Sequence, residues 1–211
     1  MALALLEVLL RLIPPFEIRF KPDRIVLPVN KSYRVNNEGK FTRLDKVTVH
    51  TKNSLGFRGA PPPGNFDDCL TIVTVGGSTT ECFYLSDDKT WPYLLGEKLA
   101  RVYGRVWLNN AGLDGATTYR HIILVEDYLV KLKPKYVLFL VGINDIGLGK
   151  IEGDNNLTAS LLHRFGRYVL NHSEVYSLGQ NIYRYFIAQR RGLHHREFDF
   201  KKMPDLDAVS E

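Results

Sequence analysis

Apolar positions along this chain change their spacing near residue 69, and the change divides it into an irregular N-terminal part and a regular remainder. In the remainder, short apolar runs alternate with helical stripes. Runs 70–75, 105–108 and 136–141 read as strands, rich in β-branched, leucine and aromatic residues. A helix is predicted from near Thr90 through Leu99 and Val102, with Thr90 as its cap and Pro92 in its first turn. A second covers 119–132, where Ile122, Ile123, Val125, Tyr128 and Leu129 form a stripe that stops before Pro134. Two further helical stretches, 157–170 and 174–190, follow before the chain turns polar. Strands separated by helices imply right-handed crossovers and a parallel sheet covered on both faces. No convincing strand follows Val141. Three strands would leave run 137–141 unpaired on one side unless the N-terminal arm covers it. The expectation is therefore a domain that continues past Glu211, with this chain a truncated form.

Residues 14–68 differ. They are rich in turn formers (Pro14-Pro15, Asn36-Asn37-Glu38-Gly39, Pro61-Pro62-Pro63-Gly64-Asn65) and hold two strand-like runs, 24–29 and 46–50. The pattern predicts an extended arm with a hairpin, entering the domain through Asn53-Ser54-Leu55-Gly56-Phe57-Arg58-Gly59. The glycines there call for a turn with positive φ, and Phe57 and Arg58 are expected to dock on the domain. The first 13 residues are apolar except for Glu7 and Arg11. As a helix they reach about 18 Å, against a hydrocarbon core of about 30 Å. No charged segment precedes the run and no cleavage site follows it. It is either the end of a longer membrane anchor or a helix packed on the domain. The expected organisation is thus 1–13, 14–68 and 69–211.

Composition narrows the function. The chain has 211 residues, 45% apolar and 24% charged, room for one ordinary domain plus an extension. A net charge of +5 is mild and dispersed. Stretch 190–202 is basic but interrupted by Glu197 and Asp199, so it reads as solvated surface and nucleic acid is not an expected partner. Cys69 and Cys82 form no metal-ligand pattern, so no metal or other cofactor is expected. Free thiols are the preferred reading of the pair, with a disulfide between them left open.

The chemistry lies at the strand ends. Val75-Gly76-Gly77-Ser78-Thr79-Thr80-Glu81, Asn109-Asn110-Ala111-Gly112-Leu113-Asp114-Gly115 and Val141-Gly142-Ile143-Asn144-Asp145 each follow a predicted strand. In an open parallel sheet, ligands bind in the crevice beyond the carboxyl ends of the strands. Ser78, on a glycine turn before a short helical turn, is the candidate nucleophile, and it needs a base to take its proton. Gly115 offers a backbone N–H without a Cβ nearby, and Asn144 offers a carboxamide. Such donors are typically worth about 10²–10³ each in rate when fixed on a developing oxyanion. Each residue has an ordinary alternative: a serine cap, a turn glycine for which Gly112 competes, and a loop asparagine. Their conjunction on consecutive strand ends points to acyl transfer.

These blocks resemble those of the SGNH hydrolase family, also called GDSL-like esterases and lipases. Gly76-Gly77-Ser78-Thr79-Thr80 is similar to the serine block, with Gly-Gly-Ser for Gly-Asp-Ser. Asn110-Ala111-Gly112-Leu113-Asp114-Gly115 is similar to the glycine block, and Gly142-Ile143-Asn144-Asp145 to the most specific, Gly-x-Asn-Asp block. The resemblance covers about residues 69–150. It implies a flavodoxin-like α/β three-layer sandwich, here incomplete at its C-terminus, and an ester substrate carried on a small molecule, lipid or glycan. The arm is similar to that of bacterial members with an N-terminal anchor, which implies membrane association.

The family's fourth block, Asp-x-x-His, is missing. The residues three before His50, His121, His163, His172, His194 and His195 are Val47, Thr118, Ser160, Val169, Arg191 and Gly192. His194 and His195 are weak substitutes in a polar tail, and His121 reads as the start of a helix. Without its base, a triad enzyme keeps about 10³–10⁴ over water. Little or no esterase activity is expected from this polypeptide alone. An acyltransferase of the same fold and a non-catalytic relic are the alternatives. A phosphate-binding module is disfavoured, because the turn has neither a lysine nor the spacing for one.

Overall fold

The computed structural model describes residues 1–13, 19–21, 23–37, 44–146 and 161–190. The chain forms two compact units, Phe16–His172 and Met1–Pro15 with Ser173–Glu211.

The larger unit is built on a parallel sheet of β5 (Leu70–Gly76), β6 (Val106–Asn110) and β7 (Tyr136–Leu140), in the spatial order β6-β5-β7. Ile72 lies opposite Leu108 on one side and Tyr136 on the other. Side chains alternate across the sheet, so Val73, Val75 and Trp107 share one face. There they pack with Leu124 and Leu129 of the helical run behind β6, and Val73, Val75 and Leu124 have no exposed surface. On the opposite face helix α3 (Trp91–Tyr103) lies so close to β6 that a Cβ on Gly96 would stand 3.2 Å from the Leu108 Cβ. Helices thus cover both faces, the flavodoxin-like arrangement expected. Thr90 caps α3 by accepting from the Tyr93 N–H, with Pro92 in the first turn. The predicted helix over 119–132 is helical throughout, but as α4 (Thr118–Leu124), a π-helical segment Val125–Leu129 and α5 (Val130–Leu132).

The arm wraps this sheet. Its hairpin pairs β3 (Lys31–Asn36) with β4 (Val47–Lys52), Tyr33 facing His50. Predicted run 24–29 contributes only β2 (Ile25–Val26), which pairs with β1 (Arg19–Phe20). The hairpin partner is therefore not the apolar run but the more polar one after it. Ile25 and Leu27 are drawn into the core instead, and the chain turns at Asn30 with φ +52°. Gly56 and Gly59 take φ of +79° and +123°, as the turn requires. Phe57 is buried in the main core, and Arg58 forms a two-way backbone bridge to Asn110. Trp107 and Asn109 donate to the Ala60 carbonyl. The arm therefore covers the β6 edge of the sheet. Among the described residues β7 pairs with β5 alone, and Phe139 and Leu140 are 55% and 51% exposed.

In the second unit, α1 (Ala2–Leu12) meets α7 (Glu174–Arg190). The Glu7 carboxylate accepts from the backbone N–H groups of Glu174 and Val175 and from the Ser173 hydroxyl, filling the N-terminal donors of α7. Leu3, Leu5, Val8, Leu9 and Leu12 remain exposed. No helix among the described residues is long and apolar enough to cross a membrane. Helix α6 (Leu161–His172) belongs to the larger unit, while residues 157–160 and the basic stretch beyond Arg190 lie outside the described residues.

Candidate active site

Each of the three motifs leaves its strand at the carboxyl end of the sheet. Ser78 opens a one-turn helix, α2 (Ser78–Glu81), directly behind β5. It is exposed while Thr80 and Glu81 are buried, so the turn is anchored by its far end. Among the described residues, nothing hydrogen-bonds the Ser78 hydroxyl. Gly76 cannot be replaced: a Cβ there would stand 2.6 Å from the Leu140 carbonyl oxygen and closer still to Thr80.

Gly115 lies in a turn closed by the Ala116 N–H on the Leu113 carbonyl at 3.1 Å. Its φ is +67°, while Asp114 before it has no positive φ, which makes this a type II turn with glycine at the third position. Gly115 is exposed, nothing lies within 4 Å of the place a Cβ would take, and its N–H is unbonded among the described residues. Gly112 differs. Its N–H is spent on Asn110 Oδ1 at 2.8 Å, and a Cβ there would stand 2.3 Å from the Glu81 nitrogen. Gly112 is a close-packing glycine, and Gly115 carries the available donor.

Asn144 sits in the 3₁₀ turn Ile143–Asp145 behind β7, entered through Gly142 at φ +104°. Its amide nitrogen donates to the Ala116 carbonyl at 2.9 Å and lies 2.7 Å from where a Gly77 Cβ would be. One nitrogen thus touches the loop behind β5 and the loop behind β6 at once. A carboxamide has two N–H bonds, and the bond to Ala116 uses one of them.

Residues outside the predicted catalytic set brace these loops. Asp145 accepts from the backbone N–H and hydroxyl of Thr118, tying the Asn144 turn to the start of α4. Glu81 accepts the Asp114 N–H at 2.6 Å through one oxygen and faces the Lys52 ammonium at 3.5 Å through the other. Arg58, 3% exposed, donates to the carbonyls of Glu81, Cys82 and Leu85 and pairs with Asp87 at 2.7 Å. The only sequence signal for Glu81 and Asp145 was their place inside two motifs.

Among the described residues, no histidine side chain hydrogen-bonds the serine hydroxyl. His50 is buried beside the Phe83 backbone. Burial first, then the charges of Arg58 and Lys52, hold its pKa down to about 3. His121 is buried in α4 beside Gly76 and Asp145, and burial lowers its pKa against the pull of both. His172 is exposed on α6 and bonded to the Tyr168 carbonyl. The His163 side chain and His194 and His195 lie outside the described residues. Both cysteines are free, Cys69 buried and Cys82 half-buried, and burial pushes the Cys82 thiol up.

Residues 74–189, more than half of the 211, match the GDSL-like Lipase/Acylhydrolase family. The chain belongs to this family. The match begins inside β5, takes in all three loops and runs to the end of α7. GDSL-like hydrolases act on ester bonds, and the loops that carry Ser78, Gly115 and Asn144 lie within the matched residues. No curated protein and no solved structure matches this GDSL-like chain.

Proposed function

We propose that the protein is a serine-dependent hydrolase of carboxylic esters that works through an acyl-enzyme. Ser78 Oγ attacks the ester carbonyl, and the N–H of Gly115 with the remaining Asn144 amide N–H receive the oxyanion. Ser78 gives its proton to solvent water, and collapse of the tetrahedral intermediate expels the alcohol, which takes a proton from water in turn. Water then cleaves the acyl-serine bond and releases the acid. The observation that carries this reading is the Asn144 amide nitrogen, 2.7 Å from where a Cβ on Gly77, beside the serine, would stand and bonded to Ala116 beside Gly115.

The substrate in this reading is an acyl or acetyl ester on a lipid or glycan. The exposed leucines of α1 support association with a lipid surface. Transfer of the acyl group to a sugar hydroxyl needs only that hydroxyl in place of water. The unbonded Ser78 hydroxyl also fits a domain that kept the fold without catalysis. Because no described histidine bonds Ser78, acylation by the 211-residue chain is expected to be slow, about 10³–10⁴ over water. Prolonged incubation with a fluorophosphonate, followed by peptide mass spectrometry, separates the two readings. The expected result is a phosphonyl group on Ser78, absent in Ser78→Ala. An unlabelled Ser78 in a folded chain overturns the proposal, and rapid turnover of p-nitrophenyl acetate that survives Ser78→Ala overturns the assignment of the nucleophile.

A further inference from the structure

Lys52 and Glu81 form an ion pair whose side chains are 3% and 4% exposed. A buried pair of this kind is weak evidence for stability, because desolvation cancels much of the attraction, and well-packed apolar residues of similar size often do as well. The place of this one in the fold suggests another role. Glu81 closes the one-turn helix that Ser78 opens. Its second carboxylate oxygen does not face the arm but accepts the N–H of Asp114 at 2.6 Å, a short, charge-assisted bond. Asp114 is an exposed residue, yet its N–H is held by a buried carboxylate. The bond fixes the second residue of the type II turn, and the next peptide carries the unbonded Gly115 N–H. Lys52, at the end of β4, stands on the opposite side of Glu81.

We infer that Glu81 is a positioning residue for the oxyanion donor, holding the Asp114–Gly115 peptide in its turn, and that Lys52 makes the N-terminal arm a working part of the site by fixing Glu81. The inference rests on the reading of Gly115 as an oxyanion donor. A rate step lost through misplacement by about 1 Å can reach about 10², and loss confined to the transition state lowers the rate constant and leaves ground-state binding unchanged.

The test uses the 211-residue chain and a fluorophosphonate, measuring the maximal rate constant for Ser78 phosphonylation, the half-saturating probe concentration and the melting temperature. The decisive variant is Lys52→Met with Glu81→Met, which removes both charges together and takes the carboxylate acceptor from the Asp114 N–H. Melting within a few degrees of wild type, at least about a tenfold slower maximal rate and an unchanged half-saturating concentration are expected. A rate that stays at the wild-type value while the fold is kept, or a change confined to the half-saturating concentration, overturns the inference and makes the pair structural. Should the double variant not fold, Glu81→Gln decides. It keeps the shape but has one acceptor oxygen for two donors, so the rate should fall, and an unchanged rate overturns the inference. Wild-type protein unlabelled at Ser78 removes the proposed function itself and this inference with it, whereas labelled wild type with an unaffected Glu81→Gln removes this inference alone.

Discussion

Gly77→Ala tests whether Asn144 works on the chemistry at Ser78. Gly77 has φ −85°, outside the left-handed region, with ψ −149°, just past the edge of the usual β range. The new methyl would stand 2.7 Å from the Asn144 amide nitrogen and no closer than 3.8 Å to its carboxamide carbon, with nothing else within 4 Å. Ordinary carbon–nitrogen contact lies nearer 3.5 Å, so the carboxamide must swing away and give up its 2.9 Å bond to Ala116. Losing that half-buried bond costs about 1 kcal/mol of stability. Losing an oxyanion donor costs about 2.7–4 kcal/mol of barrier, or about 10²–10³ in rate. The rate effect should therefore far exceed the stability effect. Phosphonylation of Ser78 and urea unfolding measure the two separately. Asn144→Ala should slow the reaction by a similar factor, and adding Gly77→Ala to it should do almost nothing further, because the group displaced is already gone. An undiminished effect of Gly77→Ala in the Asn144→Ala background would refute the reasoning, as would a wild-type rate in Gly77→Ala alone.

Arg58→Met should destabilise the larger unit by about 1–3 kcal/mol in urea unfolding, since it takes the guanidinium donors from the Glu81 and Leu85 carbonyls, while the Cys82 carbonyl keeps the Leu85 N–H and Asp87 keeps Thr51. Asp145→Ala removes the acceptor for the Thr118 N–H and hydroxyl at the start of α4, a cap worth about 1 kcal/mol, and should lower the melting temperature by about 2–4 °C. In the second unit, the Glu7 pKa is lowered to about 2: its partial burial opposes ionisation, and the Glu174 and Val175 N–H groups, Arg11 and Ser173 outweigh it. A lowered carboxylate pKa stabilises fully above the unfolded value of 4.5 and ceases to as pH falls through about 2. The Glu7 side chain is half-buried and its partner Arg11 is exposed, so the contribution is about 1 kcal/mol. The acid-induced loss of helical signal over that window should shrink in Glu7→Gln.

What could be read from the sequence followed from local chemistry. The strand β5 is a continuous apolar run because both its faces are covered, and Thr90 and Pro92 mark the start of α3 through capping and a fixed φ. One strand of the hairpin was not legible, for the opposite reason. Lys31-Ser32-Tyr33-Arg34-Val35-Asn36 has weak strand character of its own and becomes a strand by pairing with β4. Arg58 was visible as a residue that docks, but its partners were not, since three of them are backbone carbonyls, which every residue carries. The roles of Glu81 and Asp145 were hidden in the same way. Each acts on a backbone N–H of another loop, 33 and 27 residues away in sequence.

Those cross-connections decide how rigid the site can be. A loop behind a strand has few contacts of its own, yet a donor raises a rate only if it is already aimed when charge develops. Here each loop is held by a residue from another. Glu81 of the β5 loop holds Asp114 of the β6 loop, and Asp145 of the β7 loop holds Thr118. Asn144 binds Ala116, while Asn110 donates to the Thr80 carbonyl and accepts from Gly112. No single bond here exceeds a few kcal/mol, but they share partners, so loosening one loop loosens the others. Substitutions at Glu81, Asn110 and Asp145 should therefore combine non-additively, unlike pairs chosen from opposite ends of the sheet. The arm enters the same network through Arg58 and Lys52, which grip the turn that begins at Ser78. A segment that looks like a linker in sequence is thereby one wall of the support on which the proposed chemistry stands.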